Sequence, residues 1–282
     1  TVRMGLDDID GLTGTLSVVD TSTGTSTLDI ADGGAARDVD LSGVAADVIT
    51  LGTGNTGTLT LASGASLVVD VDQVAIGIDG TDAGAATNTA TITLDDNNDT
   101  ANAVDFTGTL TLTDLASVTI DASVDAQASA VAGITGTADN TDVTIEAGAN
   151  GITLSGTTNI GTGDLVINST GAVAGGATAI TANSLTATGS GAVTLTAINA
   201  TNLATVTTGS GNDALTVSNT GGSLTLNTGA GTNTVTVSVD TGAFTYAITG
   251  GAGFDTFAIA DTRDISTGTL TLSDFERIQV TE

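Results

Sequence analysis

A turn that returns at a fixed interval constrains this chain more than any other feature. Thr188-Gly189-Ser190-Gly191 runs into Val193-Thr194-Leu195, and Thr208-Gly209-Ser210-Gly211-Asn212-Asp213 into Leu215-Thr216-Val217. Thr228-Gly229-Ala230-Gly231-Thr232-Asn233 precedes Val235-Thr236-Val237, and Gly250-Gly251-Ala252-Gly253-Phe254-Asp255 precedes Phe257-Ala258-Ile259. The last glycines stand at 191, 211, 231 and 253, steps of 20, 20 and 22 residues. A second turn column keeps the interval at Asn199, Asn219, Asp240 and Asp261, the last three each followed by Thr. Two turn columns with one period describe a chain that coils and stacks its strands in parallel, each coil burying its apolar face only against its neighbours.

The segments between turns are strands. Thr alternates with Leu, Val or Ile in Thr58-Leu59-Thr60-Leu61, Thr109-Leu110-Thr111-Leu112 and Thr269-Leu270-Thr271-Leu272, the period-two signature of a half-buried strand. The expected fold is all-β, a right-handed parallel β-helix or β-roll. At about 21 residues per coil the chain makes roughly 13 coils, a rod on the order of 60 Å long at about 4.8 Å per strand. Only the Ala- and Ser-rich stretch from Asp121 to Ala132 suits a short helix. Thr107-Gly108-Thr109-Leu110-Thr111-Leu112-Thr113-Asp114-Leu115 recurs as Thr267-Gly268-Thr269-Leu270-Thr271-Leu272-Ser273-Asp274-Phe275. That recurrence suggests one closing element used by two related modules, a β-rich 1–122 and a β-helical 123–282. Phe244, Tyr246, Phe254, Phe257 and Phe275 crowd the last coils and suggest a terminal cap against edge pairing.

Composition removes whole classes of function. The chain has no Pro, Cys, His or Trp, and its 4 cations, Arg3, Arg37, Arg263 and Arg277, face 32 carboxylates for a net charge of −28. Four scattered arginines cannot replace the counterions of a nucleic acid. Zinc, haem, thiol and Ser-His-Asp chemistry lack their side chains, and disulfides are excluded. No apolar run approaches the ~20 residues of a membrane span. No basic region followed by an apolar stretch marks a signal peptide, and Met4 is not the first residue, so a fragment or a processed chain is expected. With 13% charged and 40% hydrophobic residues, a core is feasible once carboxylate repulsion is relieved, and a bound cation would relieve it.

Gly250 to Ala258 fits the nonapeptide G-G-x-G-x-D-x-U-x at every specified position. Glycines there aim carbonyl oxygens inward, Asp supplies a hard anionic oxygen, and the apolar residue starts the strand. The segment resembles the calcium-binding β-rolls of the repeats-in-toxin (RTX) family. Gly209, Gly211 and Asp213 match with Thr208 in place of the first glycine. Gly229, Gly231 and Asn233 match with two departures, Thr228 for Gly and Asn233 for Asp. Gly251, Gly253 and Asp255 complete the set, while the copy at Gly191 has Val193 where Asp belongs. Gly161-Thr162-Gly163-Asp164 is a half-motif. Asp164, and Asp240 and Asp261 on the other edge, are equally ligands between coils or turn caps. Asp95, Asp96 and Asp99 resemble an EF-hand loop by composition alone, and Gly33 to Asp38 is a degenerate copy.

The resemblance extends, through the closing phrase Ser273-Asp274-Phe275-Glu276-Arg277-Ile278-Gln279-Val280, to calcium-binding bacterial surface-layer (S-layer) proteins and large type I-secreted adhesins. It covers the C-terminal ~120 residues by motif and the rest by composition. It implies a non-enzymatic structural protein, secreted by the type I route to the bacterial cell surface, binding Ca2+ and assembling with itself. A cell-surface polysaccharide is the other implied partner. The alternative is the calcium-rigidified stalk or ligand-binding segment of an adhesin, and a third reading is the calcium roll of a secreted hydrolase. Outward Thr columns are also compatible with ice binding.

Overall fold

The computed structural model describes residues 2–6, 15–18, 26–30, 38–44, 47–52, 57–73, 76–80, 87–95, 103–125, 127–136, 140–175, 180–199, 203–218, 222–238, 243–260, 266 and 268–281. Within them the chain forms two long parallel sheets and no helix. Sheet 1 has 13 strands, from Val2–Leu6 to Thr269–Ser273. Sheet 2 has 15, from Thr15–Val18 to Arg277–Thr281, with Thr158–Asn159 and Ile180–Thr181 off its main path. Successive strands alternate between the sheets, so the chain is a parallel β-solenoid as its turn period requires. Corners leading from sheet 1 to sheet 2 form one edge, and corners leading back form the other.

Alternation places one residue in two inside. Leu28, Ile49, Leu67, Ile92, Ile120, Ile145 and Ile167 stack in register, one per coil, each 3% exposed or less. Burying one such side chain contributes about 1.5–3 kcal/mol, and neighbouring coils share every contact. Register partners are 20–22 residues apart from Ile145 to Ile248, but 18 apart for Ile49 and Leu67 and 28 for Ile92 and Ile120. The N-terminal half therefore coils as well. Its period varies because extra residues enter the corners and leave the strands in register.

One expectation changes. The stretch from Asp121 to Ala132 holds no helix among its described residues. Asp121 ends one strand and Ser129–Gly136 forms the next, because the burial period there is two: Ser129 and Val131 are buried and Ala130 and Ala132 less so. Both sheets run on past residue 122, Ser117–Asp121 pairing with Thr89–Leu94 and with Asp142–Gly148. The aromatics pack within the last coils. Phe244 and Tyr246 pack inside with ring centroids 4.6 Å apart, and Phe257 meets Phe275 edge-on at 5.8 Å. Yet Phe254 is exposed, and Ile278 and Val280, in the core columns of Phe257 and Ile259, are 65% and 66% exposed.

Candidate functional site

The glycine turns lie together on the sheet 1-to-sheet 2 edge, one above another. Thr205–Thr207, Gly222–Asn227 and Phe244–Thr249 lead into them, and Ala214–Val217, Thr234–Val237 and Thr256–Ala260 lead out. A Cβ on Gly211, Gly231 or Gly253 would lie 1.7–2.2 Å from the carbonyl oxygen of the glycine one coil earlier. A Cβ on Gly209, Gly229 or Gly251 would meet the carbonyl of Gly189, Gly209 or Gly229 at 1.7–2.1 Å. Close stacking of corners thus demands glycine here. The demand continues back to Gly191, which lies over Gly171 in a corner without an Asp. The carbonyls of Gly189, Gly209 and Gly229 accept hydrogen bonds from the amides of Ser210, Ala230 and Ala252 at 2.8–3.0 Å, and Ala230–Gly231 pairs with Ala252–Gly253 as a small sheet of its own.

Inside this edge runs a ladder of side-chain acceptors. The Val193 amide donates to Asp213 Oδ1 at 2.8 Å, and the Asp213 amide to Asn233 Oδ1 at 2.9 Å. The Asn233 amide donates to Asp255 Oδ1 at 2.9 Å, and the Asp255 amide to Glu276 Oε2 at 2.7 Å. Asp213, Asn233 and Asp255 are 2%, 0% and 0% exposed. Each side chain satisfies the corner amide of the preceding coil, a donor that burial would otherwise leave unpaired. Glu276 completes the ladder and was not among the residues expected from the motif. Its signal is its place, 21 residues after Asp255 in the same period.

The three corners differ in their second side-chain atom. Thr208, buried, donates its hydroxyl to Asp213 Oδ2, and the Thr228 carbonyl lies 3.1 Å from the same hydroxyl. Burial pushes the Asp213 carboxyl above its ordinary value, Thr208 and the Val193 amide draw it back, and the charge of Asp255 adds to the rise. Asn233 Nδ2 donates to the Gly250 carbonyl at 3.4 Å, and the Thr228 hydroxyl donates to that same oxygen. Asp255 Oδ2 is buried with no hydrogen-bond partner. Gly250 occupies the position of Thr208 and Thr228 and brings no hydroxyl, and a Cβ on it would lie 2.1 Å from the Asp274 carbonyl.

A calcium ion takes 6–8 oxygen ligands. At Asp213 and Asn233 the side chains and turn carbonyls are already engaged with protein donors, so these corners do not fit one. At Asp255 the Gly250 carbonyl is engaged as well, but this is the one of the three corners whose acidic side chain keeps an unpartnered oxygen. Asp164 lies on the opposite edge, apart from the ladder. Its Oδ1 accepts from Ser184 Oγ at 2.7 Å and Asn183 Nδ2 at 2.8 Å, which hold its carboxyl below the ordinary value. Asp240, Asp261, Asp96, Asp99 and residues 33–37 lie outside the described residues.

Other carboxylates repeat the ladder's chemistry elsewhere. Asp125, buried, accepts from the amides of Val104 and Gln127 and from Ser129 Oγ, and Asp105 accepts from the Ala130 amide at 2.6 Å. Asp38 and Asp47 accept amides of Thr58 and Ser26 in neighbouring coils. The acid-rich composition is thus built into inter-coil bonding. Among the described residues no group of three or more acidic side chains is gathered as a metal cluster, and no helix is long and apolar enough to cross a membrane. Comparisons with protein-family models, curated proteins and solved structures find no match to the chain.

Proposed function

We propose that this chain is a structural solenoid of an extracellular bacterial assembly, a surface layer or matrix filament, and that calcium orders its last coils at the Gly250 corner. The observation that carries the reading is Asp255, a carboxylate at 0% exposure with one oxygen unpartnered, in a chain of net charge −28. Calcium supplies the positive charge such a site lacks. Asp255 Oδ2 and the carbonyls of the turn beyond Gly250, whose own carbonyl is taken by Thr228 and Asn233, would hold it. On the flanks, divalent cations would bridge carboxylates of adjacent molecules, which monovalent salt only screens. Secretion by the type I route and residence at the cell surface belong to the same reading. The partner is a second copy of the chain, with a cell-surface polysaccharide as a further ligand. Nothing in this role is enzymatic. Unbroken sheets, 13 strands long in sheet 1, equally suit an adhesin stalk, and assembly separates the two. Negative-stain microscopy and light scattering should find filaments or sheets in millimolar calcium and dispersed particles in EDTA with NaCl of equal ionic strength. A monomer across the millimolar calcium range would sink the assembly reading in favour of the stalk.

A further inference from the structure

We infer that Thr208 and Thr228 stand in for metal in their corners, so that the edge between Thr188 and Ser238 closes without calcium while the Gly250 corner alone is built to take it up. The second half rests on the function proposed above, and the first stands on the threonines themselves. The three corners share stacked glycines and a side-chain acceptor for the preceding coil's amide, while the left-handed glycines of the second and third, Gly229, Gly231, Gly251 and Gly253, have no counterpart at Gly209 and Gly211. They differ in the pair formed by the first turn residue and the acidic position: Thr208 with Asp213, Thr228 with Asn233, Gly250 with Asp255. Where a threonine is present, the second side-chain atom or the carbonyl beside it is engaged. The Thr208 hydroxyl binds Asp213 Oδ2, and the Thr228 hydroxyl binds the Gly250 carbonyl that Asn233 Nδ2 also reaches. Where the threonine is missing, Asp255 Oδ2 is left open.

The physical alternatives at a buried carboxylate are a hydrogen-bond donor, a proton or a cation. A threonine hydroxyl supplies the first from within the chain. Asn233 removes the need by removing the charge. At Gly250 the first remedy is closed, because the Asp274 carbonyl fills the space a Cβ would need, and Asp255 keeps its charge. Asp274 has a left-handed backbone, φ 57°, which belongs to the corner of the last coil. Thr208, Thr228 and Asn233 thus supply internal hydrogen bonds at the positions where Gly250 and Asp255 leave an oxygen open. Thr208 and Thr228 act as specificity-determining residues that exclude calcium from their coils.

Hydrogen exchange read by mass spectrometry, with calcium chloride and with EDTA, tests this on the whole chain. In the wild type, protection of the Val193 and Asp213 amides, whose acceptors are Asp213 and Asn233, should be the same in both buffers, and protection around Asp255, including the Asn233 amide it accepts, should rise with calcium. Thr208→Val, which keeps shape and deletes the hydroxyl, should lower the urea midpoint and the protection of the Val193 amide in both buffers. Thr208→Gly should lower both in EDTA and recover them in calcium, because it restores the open corner. Loss of protection at Val193 and Asp213 in wild-type EDTA samples would overturn the proposal, as would a Thr208→Gly variant that calcium does not rescue. An Asp255 segment indifferent to calcium would instead overturn the calcium reading of the Gly250 corner, and rescue of Thr208→Gly would still decide the threonine proposal.

Discussion

Gly268 shows how narrowly single positions are set. A Cβ there would lie 2.3–2.5 Å from three carbons of the Phe244 ring, and Phe244 is itself held against Tyr246. Gly268→Ala should therefore displace the ring and cost about 1–3 kcal/mol, as overpacking does. Chemical denaturation of the variant and of a Gly268→Ala/Phe244→Leu double variant checks this, since the smaller side chain should return part of the loss. Gly268 was legible only as part of a repeated phrase, because its reason is an aromatic ring one coil away that spacing does not disclose. The turn glycines were legible as glycines, but for a different cause. The motif assigned them to carbonyl aim, whereas stacking alone excludes a Cβ, and Gly171 and Gly191 obey the same exclusion without an acid beside them. Asp213 was legible as a corner residue. Its Thr208 partner looked like a defect, because a hydroxyl's role appears only once its distance to a carboxylate is known.

The recurring phrase of about nine residues is the clearest unit at the scale of elements. Phe106–Thr113 belongs to sheet 2 and Thr269–Ser273 to sheet 1. Both end in a left-handed aspartate, Asp114 at φ 52° and Asp274 at φ 57°. The same strand-corner phrase thus serves opposite edges of the solenoid, which a two-sheet coil allows because its faces are alike in pleat and spacing. A left-handed backbone disfavours a Cβ-bearing residue by roughly 1–2 kcal/mol, with Asp and Asn the tolerated exceptions. Asp114→Ala and Asp274→Ala should each lose about 1 kcal/mol, and Asp114→Gly and Asp274→Gly should lose little or none. Urea titrations of the four variants measure this, and unlike responses at the two positions would contradict the equivalence of the corners. The repeat revealed this unit, but periodicity carries no mark of which sheet a strand enters. The same blindness favoured a helix between Asp121 and Ala132, where small residues conceal an alternation that the neighbouring coils enforce.

The whole molecule carries 32 carboxylates against 4 arginines, and its parallel sheets set many of those acids in columns. Burial is the first cause raising the carboxyls of Asp70, Asp79 and Asp105, with like charges nearby adding to it: Asp29 and Asp95 at Asp70, Asp114 at Asp79, Asp72 and Asp125 at Asp105. Asp213 moves the same way and Asp164 the opposite way. A carboxyl whose folded value is raised holds its proton more tightly when folded. Its stabilising contribution is complete below the ordinary 3.8 and is lost as pH rises through the raised value. Asp164, lowered, contributes above its ordinary value and loses that as pH falls. Among the described residues the shifted carboxyls are raised at four positions and lowered at one, so the melting temperature should rise on acidification from neutral pH toward about pH 4 in the absence of divalent cations. Thermal melts across that range in EDTA decide it, and a melting temperature that falls steadily with pH would contradict the prediction. Architecture at this scale was the most legible part of the chain, since a turn period needs no side-chain detail. The length of the N-terminal coils was the least, because corner insertions break the period without disturbing the strands.

Register partners near 21 residues apart have a mechanical meaning. Every strand is bonded only to the coil before it and the coil after it, so tension applied at the ends peels the stack from an end inward. Each coil that lets go frees about 21 residues of slack, roughly 70 Å of extended chain at about 3.3–3.6 Å per residue. From Ile145 to Ile248 the yields come in nearly equal lengths, and before it in unequal ones set by the corner insertions. Such a chain lengthens under load by a series of small surrenders, each reversible when the coil finds its neighbour again, and keeps the rest of its length intact while it does so.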